Sequence, residues 1–178
     1  MDPSAALASV LTASAPHPAC ADRLAPFAPL IGSWDVDIVY HDAGGDRRVL
    51  GEWHFGWALE GRAVMDVWIA PKRPLRGADM PVSGEWGVTV RFYDPAIDAW
   101  RSTWLGPKSA VVLPFIGRLS GGEIVLEGSF EPGKIARWIF SEIAADTFRW
   151  RAVESTDAGK TFALRQEMAA RRQPARTS

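Results

Sequence analysis

The chain has a single cysteine, Cys20, and no asparagine. One thiol excludes an internal disulfide framework and a cysteine-based zinc site. Without asparagine there is no N-glycosylation acceptor. No apolar run approaches the roughly 18 residues of a membrane-spanning helix. Charge of neither sign dominates: 20 basic residues face 21 acidic ones, for a net charge of −1, which leaves no footprint for nucleic acid or an anionic membrane. The phosphate-loop pattern is missing, since Lys108-Ser109 follows Pro107 rather than glycine. No Gly-x-Gly-x-x-Gly opens a helix, no histidine pair has metal spacing, and there is no Gly-x-Ser-x-Gly elbow. No cofactor and no metal are therefore expected, and catalysis, if any, would be acid–base chemistry by side chains. Residues 5–15 are mildly apolar and Ala13-Ser14-Ala15 resembles a cleavage site, yet no basic residue precedes Arg23. The positive n-region of a secretory signal is absent, so a cytoplasmic protein is expected.

What the chain does have is tryptophan: nine, beside eight phenylalanines and only two tyrosines. Its 178 residues suit one domain with a sizeable core. Residues 1–30 are rich in Ala, Pro and Ser, and Pro16, Pro18, Pro26 and Pro29 leave room for short helices near 4–13 and 19–25. From there the texture changes to short runs of Val, Ile, Trp, Phe and Thr. Strands are predicted at 33–40, 47–58, 62–70, 85–93, 99–105, 109–116, 123–130, 134–142, 147–155 and 161–169. Turn chemistry separates them. Ala43-Gly44-Gly45-Asp46 and Ser120-Gly121-Gly122 supply positive φ, Asp94-Pro95 and Pro132-Gly133 fit β-turns, and Thr156-Asp157-Ala158-Gly159 is another reversal. Most gaps are too short for parallel crossovers, so neighbours pair as antiparallel hairpins. The one long gap, 71–84, holds three prolines and two glycines and cannot be a helix. With at most one connection long enough for a Greek key, the expectation is an all-β, up-and-down antiparallel barrel of about 8–10 strands. A closed sheet of that size holds side chains or one small ligand. The predicted layout is an N-terminal extension over 1–30, a barrel over 31–170 and a disordered basic tail over 171–178.

The segment Pro26-Phe27-Ala28-Pro29-Leu30-Ile31-Gly32-Ser33-Trp34 ends in Gly-x-Trp at the entry to the first predicted strand of the barrel. It resembles the opening signature of the calycin barrels, the lipocalins and fatty-acid-binding proteins. The resemblance implies that Trp34 plugs one end of the barrel and that an arginine from the last strands, Arg165 or Arg149, packs over it. Trp57-Ala58-Leu59-Glu60-Gly61-Arg62, Arg91-Phe92-Tyr93-Asp94-Pro95 running to Trp100, and Asp157-Ala158-Gly159-Lys160-Thr161-Phe162 look like a bacterial lipocalin-like family of unknown function. That likeness covers roughly residues 26–170 and implies an internal cavity but no reaction. Nitrobindin-type haem barrels share the opening, but their iron is held by a histidine near the C-terminal end. Here the histidines are His17, His41 and His54, so haem is not expected.

If the predicted strands 47–58 and 62–70 turn through Leu59-Glu60-Gly61-Arg62, one face carries Trp53, Phe55, Trp57, Val64, Asp66 and Trp68. The other carries Glu52, His54, Ala58, Ala63, Met65, Val67 and Ile69. With the aromatic face inward, Asp66 is a lone carboxylate among rings: a general acid or base, or a structural partner of Arg91 or Arg62. With the other face inward, Glu52 and His54 sit where they could relay a proton; otherwise both belong to the outer wall. A four-residue loop after Asp94 gathers Arg91, Tyr93, Trp100 and Trp104 on one face, the ingredients of a pocket for an anionic or phenolic ligand. A three-residue loop instead sets Arg91 beside Arg101 and Thr103 on a wet exterior. The leading expectation is a barrel that binds one small, largely apolar or aromatic molecule, with Trp53, Phe55, Trp57, Trp68, Arg91, Tyr93, Trp100 and Trp104 as ligand contacts. The alternatives are a cofactor-independent isomerase, cyclase or lyase using Asp66 or the Glu52/His54 pair, and a barrel with a filled, purely structural core. The expected partner is a small molecule, with no nucleic acid and no membrane; a homodimer is allowed.

Overall fold

A computed structural model describes residues 2–75 and 84–174. Its strands are β1 (Thr12–Ala13), β2 (Gly32–Asp42), β3 (Gly45–Ala58), β4 (Ala63–Ala70), β5 (Glu85–Asp94), β6 (Ala99–Gly106), β7 (Val111–Ser120), β8 (Glu123–Glu131), β9 (Lys134–Ser141), β10 (Thr147–Ser155) and β11 (Ala163–Arg172). From β3 onward each strand pairs with the next in antiparallel fashion; β11 returns to β2, and β2 to β3, so that ten strands close on themselves. The up-and-down barrel is thus the observed architecture, and the ten predicted strands are the ten of the closed sheet. Closure removes the free sheet edges that an open array would present.

The N-terminal segment holds α1 (Pro3–Leu11), capped by Asp2 through a hydrogen bond from the Ser4 amide, and α2 (Ala21–Leu24), followed by a 3-10 stretch over Ala25–Leu30. One prediction needs correcting: the first helix stops at Leu11, and Thr12–Ala13 become a strand against Ala58 and Trp57 of β3. The reason is backbone pairing. β2 begins opposite Phe55, and β1 takes the place beside β3 that β2 leaves empty. In the long gap, Arg73–Leu75 form a single 3-10 turn, and residues 76–83 lie outside the described ones.

Leu24, Phe27 and Leu30 are fully buried and close the end of the barrel where β2 begins. Trp34 lies among them, its indole N–H donating to the Leu30 carbonyl at 2.7 Å and its ring edge-on to Phe148 at 4.7 Å. The arginine over Trp34 is neither Arg165 nor Arg149 but Arg172, whose guanidinium carbon stands 4.1 Å from the ring centre. Pairing explains this, because Arg172 is the cross-strand partner of Trp34 in the β11–β2 ladder. Arg172 also donates to the carbonyls of Pro29, Ile31 and Ala145 at 2.6–2.8 Å. Arg165 and Arg149 instead approach Glu154 and Glu142 on the outer surface. The tail is corrected accordingly: Arg171 and Arg172 belong to β11, and residues 175–178 lie outside the described ones.

Candidate ligand cavity

The turn at residues 59–62 sets the β3–β4 register, pairing Trp53 with Trp68 and Phe55 with Asp66. Strand alternation then decides what faces inward. Trp53, Phe55, Trp57, Asp66 and Trp68 are all buried. The loop after Asp94 has four residues, 95–98, nucleated where the Ala96 amide donates to the Asp94 carboxylate at 2.9 Å. Arg91 therefore stands opposite Ser102, Tyr93 opposite Trp100 and Thr89 opposite Trp104, all on the inner face.

Above the floor the interior is not filled. A cavity of about 320 Å³ is walled by Trp53, Trp68, Trp104, Trp138 and Trp150, with Phe140 and Met168. Its lining continues through Thr89, Arg91 and Gln166 to Tyr40, Gly84, Glu85 and Ser109 at the opposite end. The five indoles form one connected chain. Trp53 to Trp150 is 6.1 Å between ring centres, Trp150 to Trp138 5.5 Å, Trp138 to Trp104 6.0 Å and Trp104 to Trp68 6.1 Å. All four contacts are edge-on, an arrangement that suits the aromatic quadrupole. Gly87 makes the Trp104 position available: it is an inward-facing site whose Cβ, if present, would collide with that ring.

At the inner end lies a buried ion pair. Arg91 Nη2 is 2.6 Å from Asp66 Oδ2, with both side chains at most 1% exposed. Trp53 Nε1 donates to Asp66 Oδ1 at 2.5 Å. Burial pushes the Asp66 carboxyl above its ordinary range, while Arg91, Trp53 and Thr89 pull the other way. The guanidinium is wedged among aromatic faces, 5.5 Å from Phe27, 5.8 Å from Phe55 and 5.9 Å from Phe140. Arg91 Nε and Nη1 and Trp150 Nε1 are buried with no hydrogen-bond partner among the described residues. At the far end Glu85 accepts from the Ser109 amide at 2.9 Å, its hydroxyl at 2.6 Å and the Lys108 amide at 3.2 Å. Burial opposes ionisation of Glu85, but these donors outweigh it and lower the carboxyl from its usual range.

Of the residues expected to contact a ligand, Trp53, Trp68, Arg91 and Trp104 border the cavity. Phe55, Trp57 and Trp100 are buried but outside its lining; Trp100 packs edge-on to Phe27 at 4.8 Å and donates to the Arg23 carbonyl. Tyr93 stands apart as well, its hydroxyl donating to Asp98 at 2.5 Å beneath the Arg23 guanidinium. Glu52 and His54 lie on the other face of β3, outside the barrel. There Glu52 is covered by Arg73, which donates to it at 2.7–2.8 Å, and His54 bridges Ser33 and Glu52 at 2.9 and 3.0 Å. Burial disfavours the Glu52 carboxylate, yet the Arg73 and His54 hydrogen bonds prevail and hold it at about 2. Asp66 and the Glu52/His54 pair are thus separated by the barrel wall and cannot share a substrate. Trp138, Phe140 and Trp150 were missed, although inward alternation of Trp138 with Phe140 and of Phe148 with Trp150 was available as a signal. Among the described residues, no group of three or more His, Cys, Asp or Glu is placed to hold a metal ion, and no helix is long and apolar enough to cross a membrane.

A ten-strand antiparallel barrel with a Gly-x-Trp entry, an aromatic floor and an interior cavity has the fold of a lipocalin-like barrel. A solved structure shares this fold. The chain is similar to the S-type phycobiliprotein lyase CPES from Guillardia theta, with a TM-score of 0.53 and 13% identity over 84% of this chain and 92% of that one. It also matches the structure of EF1p2_mFAP2b bound to DFHBI, with a TM-score of 0.41 and 13% identity over 82% of this chain and 94% of that one. The first likeness speaks to fold alone, and the second is too distant to add to it. No family model matches the sequence, and no curated protein does.

Proposed function

We propose that the protein is a cytoplasmic binding protein that holds one small, largely apolar aromatic molecule inside the barrel. The observation that carries this reading is the cavity of about 320 Å³ walled by five indoles from β3, β4, β6, β9 and β10. That volume lies at the small end of ligand pockets, which span roughly 300–1,000 Å³. Indole walls offer large contact areas at little conformational cost, because each ring is already held by its neighbours. The compartment rests on less: Cys20 is a free thiol, as suits a reducing environment.

The enzyme alternative is weaker. Asp66 has one oxygen on the Trp53 N–H and the other on Arg91, which favours a structural ion pair over a proton-transfer role. Glu52 and His54 face away from the cavity. The purely structural alternative is opposed by the unfilled volume.

Intrinsic fluorescence tests the proposal directly, since five of the nine tryptophans border the cavity. Titration with a panel of two- and three-ring aromatic compounds should give saturable quenching or a spectral shift at one molecule per barrel. Gln166→Phe, which adds bulk to the cavity wall, should weaken the response by about tenfold or more. A panel that left the emission unchanged throughout would refute the proposal.

A further inference from the structure

Two residues with unsatisfied donors, Arg91 and Trp150, line the same cavity. Arg91 keeps two buried donors, Nε and Nη1, beyond the one it turns to Asp66, and Trp150 keeps its indole N–H. Both residues border the same cavity, and both are at most 4% exposed. A buried donor without an acceptor costs free energy that an arriving acceptor can relieve. An apolar ligand alone would leave those donors unpaired.

Charge decides what kind of acceptor fits. The Arg91 guanidinium is already balanced by the Asp66 carboxylate at 2.6 Å. At the far end, the Glu85 carboxylate borders the cavity and accepts from the Ser109 amide and hydroxyl and from the Lys108 amide. Among the described residues, the one cation of the lining, Arg91, is thus balanced by Asp66, and Glu85 adds negative rather than positive charge. An anionic ligand would surrender its hydration without meeting a net counter-charge, and burial of an unpaired ion is costly.

We infer that the cavity selects a neutral aromatic molecule carrying a hydrogen-bond acceptor, such as a ketone, quinone or lactone oxygen, which takes up the spare donors of Arg91 and Trp150. The inference rests on the reading of the cavity as a ligand site and narrows it. Asp66 then sets selectivity without touching the ligand, by cancelling the charge that would otherwise attract a carboxylate.

Three probes of nearly equal size separate the outcomes: 2-acetylnaphthalene, 2-ethylnaphthalene and 2-naphthoate, measured by equilibrium dialysis against the full chain at neutral pH. The ketone should bind about tenfold tighter than the hydrocarbon, the scale of a satisfied buried hydrogen bond, and tighter than the carboxylate. Trp150→Phe removes the N–H while keeping an aromatic wall; it should weaken the ketone more than the hydrocarbon and so shrink the ketone's advantage. Asp66→Asn should move the carboxylate to the top of the order. Should that variant fail to fold, the wild-type ranking and Trp150→Phe still decide the matter. Equal binding of ketone and hydrocarbon would overturn the inference while leaving the cavity a binding site. A wild-type preference for 2-naphthoate would overturn it as well. Failure of all three to bind would remove both readings.

Discussion

Arg91 and Asp66 are among the most deeply buried polar side chains described, and each is the other's counter-ion. Desolvating both is expensive, and their mutual attraction offsets that cost only while both are present. Arg91→Met alone should therefore lower the unfolding free energy by about 3–5 kcal/mol, through the carboxylate left unpaired. The double variant Asp66→Leu/Arg91→Met should cost less than the single one, and urea denaturation would measure the difference. Additive losses would show that the two residues act separately. Glu52 gives a second expectation at this scale. Its folded value of about 2 lies below the ordinary 4.5, so its contribution is complete above pH 4.5 and fades as the pH falls toward 2. Since Arg73 is half in solvent, about 2 kcal/mol is a reasonable size for it. Urea midpoints measured from pH 6 down to 2 should fall more shallowly in Glu52→Gln. Asp157, held at about 2 by hydrogen bonds from Thr161 and Ser155, keeps part of the acid slope in that variant.

At the level of elements, turn chemistry made the strands readable before any coordinates. Gly44-Gly45, Asp94-Pro95 and Pro132-Gly133 each separate two observed strands. The β3–β4 register followed from one loop length, whereas the β5–β6 register was open because Asp94-Pro95 admits loops of three or four residues. Where boundaries slipped, packing had overridden local signals. β7 was expected to end at 116, before Gly117, yet it continues to Ser120. Gly117 is no break: a Cβ there would press on Leu126 and Trp100, so the strand keeps glycine to let side chains through. The arginine over Trp34 was misassigned for a related reason. Its identity depends on the β11–β2 ladder, a contact between chain segments 138 positions apart, and no local pattern encodes that pairing. Arg172→Ala should cost about 2 kcal/mol in urea denaturation through three lost carbonyl contacts and the ring it covers. Arg165→Ala, whose Glu154 partner is half in solvent, should stay within about 0.5 kcal/mol. The reverse order would return the capping role to Arg165.

Across the whole molecule, the architecture was legible, and four of the eight residues expected to meet a ligand border the cavity. Alternation tells which residues share a face, but not how far along the barrel each one stands. Trp57, Trp100 and Tyr93 share the inward face with Trp53 and Trp104 yet fall outside the cavity lining, because the N-terminal segment fills the space near Trp100 with Phe27 and Arg23. That depth depends on a segment whose proline-rich composition gave no sign of what it would cover. The spacing of the cavity tryptophans has an optical consequence. Successive rings from Trp53 to Trp68 are at most 6.1 Å apart, close enough for neighbouring indole excited states to exchange energy. Light absorbed by one ring can therefore pass to its neighbour before it is emitted. The cavity wall is in effect a small antenna, and an acceptor lodged anywhere along it would drain the whole array rather than the single ring it touches.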